Sequence, residues 1–129
     1  MTLPSTKKTV RQTRVFRCWF DAMLSRTTKA IVASRVERLQ AGLYGDVKPC
    51  GAGVSELRID VGPGYRVYFT EALDNTLVLL LIGGNKATQQ KDIVAAKELL
   101  ANMKQQRHKL TQHSASVPED RAFITRQRN

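Results

Sequence analysis

Arg58, Arg66 and Tyr68 stand at alternating positions in two neighbouring segments that have the pattern of strands. Alternate residues of a strand point to the same face of a sheet, so these side chains are expected together. Two guanidinium groups beside a phenol can bind a phosphodiester. The same spacing is equally typical of a structural arrangement in which Arg58 pairs with Glu56 or Asp60 and Tyr68 merely fills the strand.

A second group runs from the glycine pair Gly83-Gly84 to Lys91, between an apolar strand and a helix. Glycines permit close approach of the backbone, and free amides at a helix start suit an anion. Lys86 and Lys91 add positive charge, although the spacing of a P-loop is absent. In the alternative interpretation the glycines only form a turn, and Thr88 or Asp92 caps the helix.

The elements that must position these groups follow from hydrophobic periodicity. Apolar residues at helical spacing predict one helix over about 12–24 and a second between a cap at Thr27 or Thr28 and a stop at Gly42. Three strands are predicted over about 56–61, 65–70 and 77–82, and a last helix over about 89–105. The fold class is α+β, with an N-terminal helical hairpin packed on a small antiparallel sheet and a C-terminal helix.

Five apolar residues should face the helical hairpin, since they alternate with the candidate site residues: Leu57, Ile59, Val61, Val67 and Phe69. Arg66 is then expected on an exposed face, where its removal changes stability by less than about 0.5 kcal/mol.

The 129 residues carry a net charge of +10, which favours a polyanionic partner. Residues 1–106 are expected to form one domain whose first eleven residues are frayed, and 107–129 to form a basic, flexible tail. The longest apolar run, Leu77 to Ile82, is too short to cross a membrane. No metal site or cofactor is expected, and a cytoplasmic location follows from the polar N-terminus.

Four segments together carry a resemblance to a known family: Gly45-Asp46-Val47-Lys48-Pro49, Gly53-Val54-Ser55-Glu56-Leu57-Arg58-Ile59, Gly62-Pro63-Gly64-Tyr65-Arg66-Val67-Tyr68-Phe69 and Leu79-Leu80-Leu81-Ile82-Gly83-Gly84-Asn85-Lys86. With Gln89 to Ile93, they make residues 12–104 similar to the RelE/ParE superfamily of toxin–antitoxin toxins. The sequence looks most like the HigB-type addiction module killer branch.

The resemblance implies a compact α+β toxin that cuts mRNA, often on the ribosome, and is neutralised by a cognate helix-turn-helix antitoxin. Such cleavage is metal-independent, because the ribose 2′-hydroxyl attacks its own phosphodiester and gives a cyclic phosphate. Arg58, Arg66 and Lys86 would supply positive charge around the phosphate. Tyr68 would stack on a base or position the 2′-hydroxyl.

Flanking nucleotides would be held by Lys48, Gln89 and Lys91. Relatives that use histidines differ from this chain, whose predicted core has none. Lys86 is the candidate to replace them in proton transfer. The alternative is a binding module without nuclease activity, either a ParE-like inhibitor of DNA gyrase or a co-repressor acting with the antitoxin.

Overall fold

The computed structural model describes residues 8–72 and 76–113. Its elements are, in chain order, β1 (Thr9–Gln12), α1 (Arg14–Asp21), α2 (Arg26–Gln40), β2 (Val47–Gly51), β3 (Val54–Ile59), β4 (Tyr65–Glu71), β5 (Leu77–Asn85), a 3₁₀ turn (Lys86–Thr88) and α3 (Gln89–His113). The α+β class and the arrangement of helices predicted from the sequence are confirmed.

The five strands form one sheet in the order β1-β5-β4-β3-β2. Strands β2 to β5 are antiparallel to their neighbours, whereas β1 runs parallel to β5. The sequence pattern missed both edge strands. Residues 9–11 were expected to be frayed, and β2 was expected to be loop because it contains Pro49 and Gly51. A proline is tolerated there because β2 is an edge strand, with a register shift between these two residues.

Apolar side chains cover both faces of the sheet. The five residues expected to face the first two helices do so: four are buried beside Phe16, Val32 and Leu39, and Val61 packs against them. On the opposite face, Ala96 and Leu100 of α3 pack with Tyr68 and Leu81. The sheet is therefore the middle of three layers, and α3 covers only part of the face that carries the candidate site.

Two hydroxyl side chains begin the N-terminal helices. The Thr13 Oγ1 accepts a hydrogen bond from the Phe16 amide at 3.0 Å and donates to the Leu81 carbonyl at 2.7 Å, which fixes the start of α1 to β5. Ser25 caps α2 by accepting from the Thr28 amide at 3.1 Å. The predicted cap at Thr27 or Thr28 is thus wrong, because the serine earlier in the same break supplies the oxygen.

Strand β5 continues through the glycine pair that was expected to end it. Gly83 lies opposite Val67, and Gly84 lies opposite Arg66. A methyl group at Gly83 would overlap the Trp19 ring, and one at Gly84 would overlap the Asp92 carboxylate. Glycine therefore permits side chains from two helices to lie directly on the strand.

Helix α3 extends to His113, beyond the predicted end near 105. The rest of the expected tail, 114–129, lies outside the described residues, so the boundary at 106 stays a prediction. Among the helices of the described part of the chain, none combines the length and apolarity that crossing a bilayer requires.

Candidate functional site

A buried carboxylate lies at the centre of the predicted site. The Glu56 side chain is 1% exposed and receives hydrogen bonds from three elements. Arg58 Nε donates to Oε1 at 3.0 Å, while the Tyr68 hydroxyl and Gln89 Nε2 donate to Oε2 at 3.0 and 2.7 Å. Together with Arg66, whose Nε is 4.0 Å from Oε2, these residues form what we call the Glu56 cluster.

The two arginines of the cluster are direct neighbours across β3 and β4. Arg58 is 31% exposed at its side chain, whereas Arg66 is only 7% exposed. Arg66 Nη1 donates to the Tyr65 carbonyl at 3.1 Å and lies 3.8 Å from Asp60 Oδ1. The expectation that Arg66 stands on an exposed face is therefore wrong, because its guanidinium is turned back onto the protein, toward the Tyr65 carbonyl, Asp60 and Glu56.

The contacts of Arg58 agree with both interpretations of the sequence, the structural ion pair and the anion-binding group. Its Nε pairs with Glu56, as the structural interpretation expects. No hydrogen bond or ion pair to protein involves its two Nη nitrogens across residues 8–72 and 76–113. The outer edge of this guanidinium can therefore bind an anion while its inner edge is held.

Tyr68 is completely buried. Burial, followed by the hydrogen bond to Glu56 and the charge of that carboxylate, raises the pKa of its phenol. Neither face of the ring is available for stacking on a base, so this part of the sequence expectation is wrong. Its hydroxyl instead fixes the orientation of the carboxylate.

Gln89 also points inward. As the first residue of α3, it gives its amide to Glu56 rather than to a partner outside the protein. This contact connects the start of the helix to the two central arginines. The predicted contact of this amide with flanking nucleotides would require it to leave the carboxylate.

The three lysines predicted for the site lie at different distances from the cluster. Lys86 and Arg66 both lie next to Gly64. A methyl group at Gly64 would be 3.4 Å from Lys86 Cβ and 3.4 Å from Arg66 Nη1, so the base of the Lys86 side chain lies near the Arg66 guanidinium. Lys48 is exposed and lies opposite Glu56 in the register of β2 and β3. Lys91 is exposed on α3, and no contact within the described ranges links it to the cluster.

The start of α3 differs from the predicted anion cradle. Asn85 Oδ1 accepts from the Ala87 and Thr88 amides at 2.9 and 3.2 Å, and Thr88 Oγ1 hydrogen-bonds to the Asp92 carboxylate. The Ala87 and Thr88 amides of the 3₁₀ turn are thus already capped, and an acidic side chain lies over Gly84. The alternative interpretation is also wrong in its details, because the glycines lie within β5 and the capping residue is Asn85 rather than Thr88 or Asp92.

Glu56 is ionised at neutral pH. Burial by itself would raise its pKa, but the hydrogen bonds from Gln89, Arg58 and Tyr68 and the charge of Arg58 outweigh burial and hold the pKa below its ordinary value. The carboxylate thus lies as an anion between two guanidinium groups. The sequence had shown Glu56 only as a partner for Arg58; its place beneath Tyr68 follows from the strand register.

The arrangement is suited to binding a phosphodiester by fixed cations. Arg58 presents free nitrogens, Arg66 adds a buried positive charge directly opposite it, and Lys86 is exposed with the base of its side chain near Arg66. Across the described ranges, no group of three or more His, Cys, Asp or Glu side chains is arranged to hold a metal ion.

Known proteins with a similar sequence or a similar fold were identified. No model of a known protein family matches the chain. An uncharacterised protein of Haemophilus influenzae is 44% identical over 90 residues, which cover 70% of this chain and 90% of that protein. Among solved structures, an E. coli RelE toxin with two arginines replaced by alanine, in the free state, aligns with a TM-score of 0.57 at 12% identity, over 71% of this chain and 95% of that one.

The toxin–antitoxin complex RelBE2 of Mycobacterium tuberculosis supplies a second structural match. Its TM-score is 0.54 at 22% identity, and the alignment covers 65% of this chain and 97% of that chain. Both similarities confirm the RelE-type fold implied by the resemblance, whereas the HigB-type branch stays a prediction. The chain therefore belongs to the same family as the H. influenzae protein and has the fold of the RelE toxins.

Proposed function

We propose that the chain is the toxin of a toxin–antitoxin module and cleaves mRNA without a metal. One of the similar solved structures is a free toxin, and another is a toxin–antitoxin complex. Sequence segments from Gly45 to Ile93 resemble the same superfamily. A cognate helix-turn-helix antitoxin is the proposed partner, and ribosome-associated mRNA in the cytoplasm is the proposed substrate.

The observation that carries the nuclease proposal is the cross-strand pair of Arg58 and Arg66 beside Lys86. Adjacent cations whose side chains are held in place stabilise the negative charge that develops on a phosphorane-like transition state. Arg58 presents its Nη nitrogens to the phosphate, and Arg66 adds charge from the buried side. Lys48, exposed on β2 opposite Glu56, and Lys91, exposed on α3, are the proposed contacts for flanking phosphates.

The reaction proposed for this surface is an internal transfer. The ribose 2′-oxygen attacks the adjacent phosphorus, the bond from phosphorus to the 5′-oxygen breaks, and a 2′,3′-cyclic phosphate and a 5′-hydroxyl result. The proton of the 2′-hydroxyl is lost and one is gained by the leaving oxygen. Lys86 is the proposed proton-transfer residue, because it is exposed next to Arg66.

The test is induced expression in a bacterial host, followed within minutes by primer extension on abundant mRNAs. Discrete new 5′ ends are expected with the native chain and are expected to disappear with Arg58→Ala. Arg38→Ala is the matched control, since it removes an equal charge from an exposed position on α2. Growth arrest with intact mRNA would contradict the nuclease proposal and favour gyrase inhibition, whereas no arrest would favour a co-repressor.

A further inference from the structure

Glu56 is an acidic residue that lies beside Arg58 and Arg66, opposite Lys48 in the sheet, and it is almost completely buried. A buried carboxylate is destabilising unless its oxygens are hydrogen-bonded. Here the donors come from β3, β4 and α3, so three separate elements converge on one side chain. Such convergence fixes the carboxylate in one orientation.

The two oxygens of Glu56 have different neighbours. Oε2 is held by Tyr68, which is fully buried, and by Gln89, the first residue of α3. With Oε2 fixed, the position of Oε1 is fixed as well, and within the described part of the chain Oε1 receives only the Nε of Arg58. The guanidinium is planar, so holding Nε toward the protein turns the Nη edge outward.

The same carboxylate also offsets a repulsion. Arg58 and Arg66 lie directly opposite each other in the sheet, and like charges in such pairs are unfavourable. Glu56 lies within 3.0 Å of one guanidinium and 4.0 Å of the other. Without it, the long Arg58 side chain would be free to turn away from Arg66.

We infer that Glu56 is a positioning residue that holds the Arg58 guanidinium with its Nη edge toward the scissile phosphate. This inference rests on the proposed function, because the phosphate is that of the RNA. Glu56 itself does not touch the substrate, since both of its oxygens are occupied and its side chain is 1% exposed. Its contribution reaches the reaction through Arg58.

The decisive variant is Glu56→Gln, which preserves the shape of the side chain and removes its charge. Glu37→Gln is the matched control, because Glu37 is exposed on α2 and loses the same charge. Cleavage of ribosome-bound mRNA is measured in a cell-free translation system by primer extension. Binding is measured by fluorescence anisotropy with an RNA whose 2′-hydroxyls are methylated and which therefore cannot be cleaved.

We expect Glu56→Gln to cleave about 100-fold more slowly, since misplacing a catalytic group by about 1 Å has an effect of this size. Binding of the methylated RNA should be equal or tighter, because the surface becomes more positive. Glu37→Gln should cleave at the native rate. Unchanged cleavage by Glu56→Gln, or equal losses of cleavage and binding, would overturn the inference.

A second readout needs no activity. The Nε–Hε resonance of Arg58 in ¹⁵N-labelled full-length protein should exchange slowly with water in the native chain and rapidly in Glu56→Gln. If the native chain cuts no RNA, the proposed function fails, and this resonance alone decides whether Glu56 positions Arg58. An identical exchange rate in both proteins would overturn the inference.

Should Glu56→Gln fail to fold, Gln89→Met is used instead, because it removes one donor from Oε2 without changing the charge. About tenfold slower cleavage with unchanged binding supports the inference, since a loosened carboxylate holds Arg58 less well. Native cleavage by Gln89→Met would overturn it.

Discussion

Arg58 and Arg66 lie directly opposite each other on β3 and β4, and the carboxylate of Glu56 lies between their Nε atoms. Their exposures differ: Arg58 reaches solvent, whereas Arg66 is almost covered. The two arginines therefore have different roles: Arg66, which is covered, supplies positive charge, and Arg58, which is accessible, supplies hydrogen-bond donors. Removing Arg66 should therefore change the free energy of unfolding differently from removing Arg58.

Arg66→Ala should lower the free energy of unfolding by about 1–3 kcal/mol, because it deprives buried Glu56 of a nearby positive charge and the Tyr65 carbonyl of a donor. Arg38→Ala, on the exposed side of α2, should stay within about 0.5 kcal/mol of the native chain. Urea unfolding at neutral pH measures both. Equal stability of the two variants would show that Arg66 is solvated, as the sequence alone suggested.

Acid should destabilise the protein partly through Glu56. Its pKa is lowered in the folded state, so its contribution is present above the ordinary value of 4.5 and is lost as the pH falls through the folded pKa. The stability difference between the native chain and Glu56→Gln should therefore shrink as the pH falls below 4.5. Urea unfolding at several pH values tests this, and a difference that stays constant would contradict it.

Alkali should destabilise the protein partly through Tyr68. Burial and the Glu56 carboxylate raise its pKa, so the stabilising contribution is complete below the ordinary value of 10.0 and is lost as the pH rises beyond it. Tyr68→Phe should lose less stability between neutral pH and the alkaline range than the native chain does. Every other phenol is retained in Tyr68→Phe, so the difference between the two proteins reports on Tyr68. Parallel alkaline curves for native and Tyr68→Phe would argue against a buried, hydrogen-bonded phenol.

Gly83→Ala should destabilise the fold by about 1–3 kcal/mol, because the new methyl group overlaps the Trp19 ring. That ring also contacts Phe16 and Tyr65, at centroid distances of 5.6 and 6.3 Å, which limits its movement. In a Trp19→Ala background the same substitution should cost less. A double-mutant cycle by thermal unfolding measures the coupling, and additive effects would show that the ring does not lie on Gly83.

The sequence predicts most of the fold, because helical and alternating periodicities are strong in α1, α2, β3, β4 and α3. It does not predict β1 or β2, since their short, polar or proline-containing segments become strands only through pairing with β5 and β3. Tertiary pairing, rather than local preference, decides these two elements.

For the site, alternation correctly places Arg58, Arg66 and Tyr68 on one face. It does not predict that Tyr68 is buried, because the part of this face that α3 covers depends on the packing of Ala96 and Leu100. Nor does it reveal the role of Gln89, whose contact with Glu56 joins residues far apart in the sequence. Strand register gives the face, but only packing determines which residues remain accessible.

The parallel pairing of β1 with β5 has a consequence for the order in which the chain assembles. Thr9 pairs with Leu77, so β1 has no strand partner until almost the whole sheet has been synthesised. Strands β2, β3 and β4, in contrast, each pair with the next strand along the chain, and such local contacts form quickly. We expect the N-terminal strand and its two helices to dock last, onto a sheet whose opposite face already carries the Glu56 cluster.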